Sequence, residues 1–166
     1  MDETSVFDLD LDSVEQLKDL SSIKAGPQTL TITGAEGDVS PKKGTPYIRV
    51  QHEYANVEGL VVVKEGMKPR TFIKRDFYLS QKSLPFLRQF VEAMGTSWEE
   101  FKPVLQAVVT PLQSQDIEGF KQQVQDVFVG AVKDRTLEAM INLTKADDNG
   151  NQYNEIGKYI ITQPTS

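Results

Sequence analysis

The apolar positions of this chain follow two periods in turn: two residues from about 29 to 79, three to four from 84 to 125, and two again from 127 onward. Period two places alternate side chains on opposite faces of a strand, while the longer period lines one face of a helix. TLTIT (29–33) alternates and is rich in β-branched residues, which predicts a strand. GAEGDVSPKKGTP (34–46) has the glycine and proline content of a connecting loop. YIRVQHEY (47–54) is the most regular strand: Ile48, Val50, His52 and Tyr54 share an apolar face, and Tyr47, Arg49, Gln51 and Glu53 share a polar one. LVVVK (60–64), the turn EGMKPR and TFIKRDFYL (71–79) follow, either as a further barrel strand or as a projecting hairpin before the next strand.

The helical stretch has legible punctuation. Leu84, Leu87, Phe90, Val91 and Met94 recur at helical spacing, Pro85 suits a first turn, and Gly95 stands where a helix stops. Ser97 and Glu100 have capping-box spacing ahead of a second helix. SQDIEGFKQQVQ (114–125) predicts a third, with Ile117, Phe120 and Val124 inward. Val127, Val129 and Ala131 then return to strand alternation, and a bulge at Gly130 would keep Val132 on the apolar side. DDNGN (147–151) is a turn, and QYNEIGKYIIT (152–162) the returning strand.

The element order is three strands, a helical insert at about 81–125 and two strands. This predicts a mainly β fold with a helical insert: an OB-fold-like five-stranded barrel with its helices between strands 3 and 4. A plain α+β sheet with helices packed on one face gives the same order and stays open. Residues 1–25 read as an acidic N-terminal tail and 26–166 as the one domain, a size that suits 166 residues.

Charge changes the picture more than composition does. The net charge is −6, yet residues 1–20 hold seven acids against Lys18 alone; of 24 acids and 18 bases, the rest of the chain keeps 17 each. Residues 40–80 carry eight bases against four acids, so a low overall pI leaves room for a locally basic surface. There is no cysteine and one histidine, which excludes disulfides, thiolate metal sites and Cys/His nucleophiles. No Gly-rich phosphate loop is present, and Asp147–Gly150 lacks the spacing of a calcium loop. No catalysis, cofactor or metal is expected. No apolar run reaches the roughly 20 residues of a membrane span, and the acidic start is no secretory signal; a cytoplasmic protein fits.

DFYLSQKSLPFLRQFVEAMG contains S-L-x-x-L-x-x-F-x-x-A-x-G and is followed later by VFVGAVKDRTLE and QYNEIGKYI. Over about residues 27–162 this pattern resembles phage-encoded OB-fold single-stranded DNA-binding proteins of replication and recombination modules. The resemblance implies sequence-nonspecific binding of single-stranded DNA in the host-cell cytoplasm. The chain departs from such binders in its 60–70 excursion and in carrying its acidic tail at the N-terminus.

Sequence-tolerant binding of a single strand needs cations along the backbone and aromatic faces for the bases. Tyr47 and Arg49 share one predicted face; Phe72, Lys74 and Tyr78 share another with Asp76. Tyr153 and Tyr159 would lie on one side of an unbroken last strand, Tyr153 being the candidate, and Lys68 and Arg70, with Lys42 and Lys43, would line loops at the groove's ends. Phe77 and Tyr54 are assigned to the core, as is His52 with its polar atoms satisfied. In the tail, Phe7, Leu9 and Leu11 alternate with acids and are candidate anchors for replication or recombination proteins; mimicry of nucleic acid and a merely solubilising end are the other readings. The competing function is a protein-interaction or virion-associated structural module on the same barrel, without nucleic-acid binding. Homo-oligomerisation, through the 60–70 excursion among others, is left open.

Overall fold

The long strands bend into a curled, fully antiparallel sheet because each has one apolar side to bury. A computed structural model describes residues 20–161. In chain order the elements are β1 (Leu20–Ser21), β2 (Gly26–Val39), β3 (Pro46–Tyr54), β4 (Lys68–Pro69), β5 (Phe72–Tyr78), α1 (Leu84–Ala93), α2 (Trp98–Val109), α3 (Ile117–Gln123), α4 (Val129–Val132), β6 (Thr136–Leu143) and β7 (Asn154–Ile160). The five-stranded sheet has the order β5-β3-β2-β6-β7, and β1 pairs in parallel with β4 as a separate two-residue ladder. The chain is thus mainly β, a half-barrel with a helical insert between β5 and β6. No helix among the described residues is long and apolar enough to cross a membrane.

The inner face carries Leu30 and Ile32 from β2, Ile48 and Val50 from β3, Ile73 and Phe77 from β5, and Leu137, Ala139 and Ile141 from β6, all buried. Leu87 and Phe90 of α1, Phe101 and Val108 of α2, and Phe120 of α3 complete the same core. The edge strands β5 and β7 meet through Arg75, whose Nη1 donates to the Ile156 carbonyl at 3.4 Å, and α1 covers β7 through Gln89, whose Oε1 accepts from Tyr159 N at 2.9 Å. Bare strand edges invite pairing with other chains, and these side chains cover part of that liability.

The helical punctuation is as expected. Pro85 lies in the first turn of α1, and Gly95 follows it at φ +87°, a conformation that favours glycine. Ser97 Oγ accepts from Glu100 N at 3.1 Å, the N-cap half of a capping box, and its hydroxyl donates to the Glu100 carboxylate at 3.0 Å.

Four sequence expectations need correction. β2 does not end at Thr33 but runs to Val39, with a bulge between Ile32 and Gly34. Residues 127–132 are helical: a π-helical turn, Val124–Phe128, continues α3 into α4, so the insert extends to Val132. Val124, Phe128 and Val132, spaced by four, are the buried ones, whereas Gly130 is exposed and bends nothing. Residues 20–25 are built into the fold. Ile23 is 1% exposed, and its backbone N–H and C=O bond the amide of Asn154 at 2.8 and 2.9 Å. Finally, the 60–70 excursion is neither a barrel strand nor a free hairpin. It lies against that segment through the Ile23–Val62 bridge and the β1–β4 pair. Phe7, Leu9 and Leu11 lie outside the described residues.

Candidate nucleic-acid interface

Strand pleating sends β3's polar set outward, and antiparallel register then dictates its neighbours. Four rows cross β2, β3 and β5: Asp38–Tyr47–Tyr78, Glu36–Arg49–Asp76, Gly34–Gln51–Lys74 and Thr31–Glu53–Phe72. Six of the eight candidate residues therefore fall into place on or beside one face. Tyr47, Arg49, Phe72, Lys74 and Tyr78 are on it, and Arg70 joins from the connection with its guanidinium 5.7 Å from the Phe72 ring.

The Tyr47 and Tyr78 rings lie 5.3 Å apart, tilted by 50°, and Tyr78 is 39% exposed. Arg49 sits 5.5 Å from the Tyr47 ring, but its Nε and Nη2 donate to the two carboxylate oxygens of Asp76 at 2.7 and 3.0 Å. That bidentate bond raises the Arg49 guanidinium further above its already high ordinary pKa. Lys74 is exposed and has no ion-pair partner among the described residues. The face is mixed in sign: Glu36, Asp38, Glu53 and Asp76 accompany Arg49 and Lys74, and Lys121 Nζ lies 3.8 Å from Asp38.

Cations that form no ion pair among the described residues gather at the ends instead. Beyond Tyr78, a cleft of about 570 Å³ is lined by Lys42, Lys43, Ser80 and Ser83. Beyond Phe72, a cleft of about 370 Å³ is lined by Ser21, Ser22, Lys64, Arg70 and Tyr153. Tyr153 is 53% exposed there, its hydroxyl 3.5 Å from Asp147. Lys68 is exposed on β4 at that same end.

Tyr153 and Tyr159 do not share a side. Tyr153 precedes β7, and a register shift between Met140 and Ile141 breaks the parity of the pair. Tyr159 is 2% exposed and bonds His52 Nε2 at 3.0 Å, so it belongs to the core. Phe77, Tyr54 and His52 are buried as expected. Asp147 accepts from the Asn149 and Asn151 amides at 2.9 Å, which holds its carboxyl below the ordinary range, the Asn151 bond contributing most. DDNGN is thus a turn, with Gly150 at φ +79°. Among the described residues no group of acids and His could hold a metal ion.

β2's share of the face was missed in the sequence. The residue inserted at Thr33 shifts parity, so Gly34, Glu36 and Asp38 point outward while Ala35 and Gly37 turn inward. Gln125, from the π-helical turn, reaches the same region and donates from Nε2 to the Ala35 carbonyl at 2.7 Å. No protein-family model matches this chain, and no curated protein sequence matches it.

Proposed function

We propose that this protein binds single-stranded DNA, largely without sequence preference, along the outer face of β3 and β5, and that it serves phage DNA replication or recombination. The observation that carries the reading is the line of Tyr78, Tyr47, Arg49, Lys74 and Phe72 on one exposed sheet face, flanked by cationic clefts at both ends. Aromatic faces stack bases at roughly 1–3 kcal/mol each, and the end lysines and Arg70 neutralise phosphates. An OB-fold assignment agrees with this reading. Counting only the long strands, the order is third-second-first-fourth-fifth with helices after the third, the arrangement of a five-stranded Greek-key barrel. The closing contact between third and fifth runs through Arg75. On this reading the protein has no catalytic role.

The four carboxylates on the face favour a second reading, an interaction surface for another protein in a replication or virion assembly. Anisotropy of a labelled poly-dT of about thirty nucleotides, at low and physiological salt with a duplex control, separates the two. Strand-selective binding that weakens with salt supports the first reading. No binding at low salt overturns it in favour of the second.

A further inference from the structure

Two backbone irregularities converge on one spot. The bulge in β2 inserts Thr33 and presents Gly34 outward, where a side chain would meet nothing within 4 Å. The π-helical turn places Gln125 beside it, anchored on the Ala35 carbonyl. β2 lies beyond its pairing with β6 here, so that carbonyl has no ladder partner on its outer side. Bulges and π-turns are recurrent devices for re-aiming side chains at functional sites. Between them lies a polar pocket of about 260 Å³, walled by Glu36, Arg49, Gln51, Lys74 and Gln125.

We infer that this pocket takes one base of the bound strand and prefers a base with an exocyclic amine, adenine foremost. The inference rests on the single-stranded DNA reading and adds selectivity to it. The Gly34–Gln51–Lys74 row is the one row of the face whose β2 position has no side chain, so a flat ring has room to lie there. The Gln51 side-chain amide makes no hydrogen bond among the described residues, and a glutamine amide pairs as donor and acceptor with the N6/N7 edge of adenine. Glu36 adds an acceptor suited to an amine, and thymine offers no amine to it. Lys74, which has no ion-pair partner among the described residues, is placed for the adjoining phosphate. Thr33 Oγ1 already donates to the Gln51 carbonyl at 3.3 Å, which pins the bulge beneath the pocket.

The test uses the full chain and three labelled oligonucleotides of equal length: all dT, dT with one central dA, and dT with one central abasic site. The single dA should tighten binding about fivefold over dT, the lower end of a bidentate base contact on an open surface. Gln51→Ala should bring the dT and single-dA oligonucleotides to equal affinity, whereas a merely structural defect would weaken both and keep their ratio. Circular dichroism of the variant checks its fold, and Gln51→Glu, which keeps the acceptor and the size, should retain part of the preference for dA. Equal affinity of the unmutated chain for dT and dT-dA oligonucleotides overturns the pocket and leaves strand binding intact. No binding of any oligonucleotide overturns both readings together.

Discussion

His52 is the chain's one histidine, so its protonation can be followed as a single titration. It is fully buried, with Nδ1 3.2 Å from the Ile73 carbonyl and Nε2 3.0 Å from the Tyr159 hydroxyl. A carbonyl only accepts, so Nδ1 carries the proton and Nε2 accepts from Tyr159. A second proton would reverse the Tyr159 bond, the phenol oxygen then accepting, and place a cation among Phe90, Tyr159 and the nearby Arg75. Burial first, with Arg75 adding to it against the Ile73 bond, lowers the imidazole from 6.5 to about 4.

The sign of the consequence follows directly. Below about pH 6.5 the unfolded chain takes up a proton that the folded chain refuses until near pH 4, so stability falls as pH drops through that window. At about pH 5 the linkage relation gives a loss of roughly 2 kcal/mol relative to neutral pH, or about 4–8 °C in Tm for a domain of this size. Carboxylates also contribute over this range, and His52→Gln isolates the histidine: its unfolding free energy should fall less between about pH 7.5 and pH 5, by about that amount. Urea denaturation of both proteins at the two pH values measures this, and the histidine Cε1–Hε1 NMR signal reports the ring itself. A folded-state midpoint near pH 6.5, or an unchanged pH slope in His52→Gln, would refute the buried neutral assignment.

Other expectations are quicker to state. Asp76→Asn should release Arg49 from its bidentate partner; the side chains are 38% and 26% exposed, so stability should fall by less than about 1 kcal/mol. On the DNA reading the same change tightens oligonucleotide binding and steepens the salt slope by about 0.7, as one more phosphate contact would. Tyr47→Ala and Tyr78→Ala should each cost roughly 1–3 kcal/mol of binding in the anisotropy titration, with far-UV circular dichroism unchanged. Gly37→Val should destabilise by about 1–3 kcal/mol in urea unfolding. Even a Cβ there would lie 2.9 Å from both Phe120 Cε2 and Val124 Cγ2. Ser97→Ala should remove the α2 cap at about 1 kcal/mol, read by the same unfolding curves.

What was legible in the sequence was whatever depends on one element at a time. β3 announces both its faces, because a nine-residue strand with a buried and an open side must alternate. α1 and α2 announce their ends, because a proline, a glycine and a serine each satisfy a local backbone demand. The pairing of Tyr47 with Tyr78 was readable only as two separate faces, since register is a tertiary fact. Asp76 was visible beside Lys74, but its capture of Arg49 depends on the β3–β5 register.

The failures come from residues whose identity is dictated by another element. VFVGAV has apolar residues at so many positions that period two and period four both fit; its helical form follows from burying Val124, Phe128 and Val132 together against the sheet. GAEGDV reads as a loop for the opposite reason. At inward positions a strand ordinarily shows large apolar residues, and here position 37 is glycine because Phe120 and Val124 already fill the space. The glycine at 37 is therefore a packing requirement and not a turn signal, and its φ is an ordinary one. Three residues earlier, Gly34 lies outward with nothing above it, for a reason that no helix supplies. A strand position that is free of neighbours yet lacks a side chain, in the middle of a polar face, is where an incoming group would need the room. That contrast between two glycines three residues apart separates the strand's structural demands from the demand the proposed pocket would make.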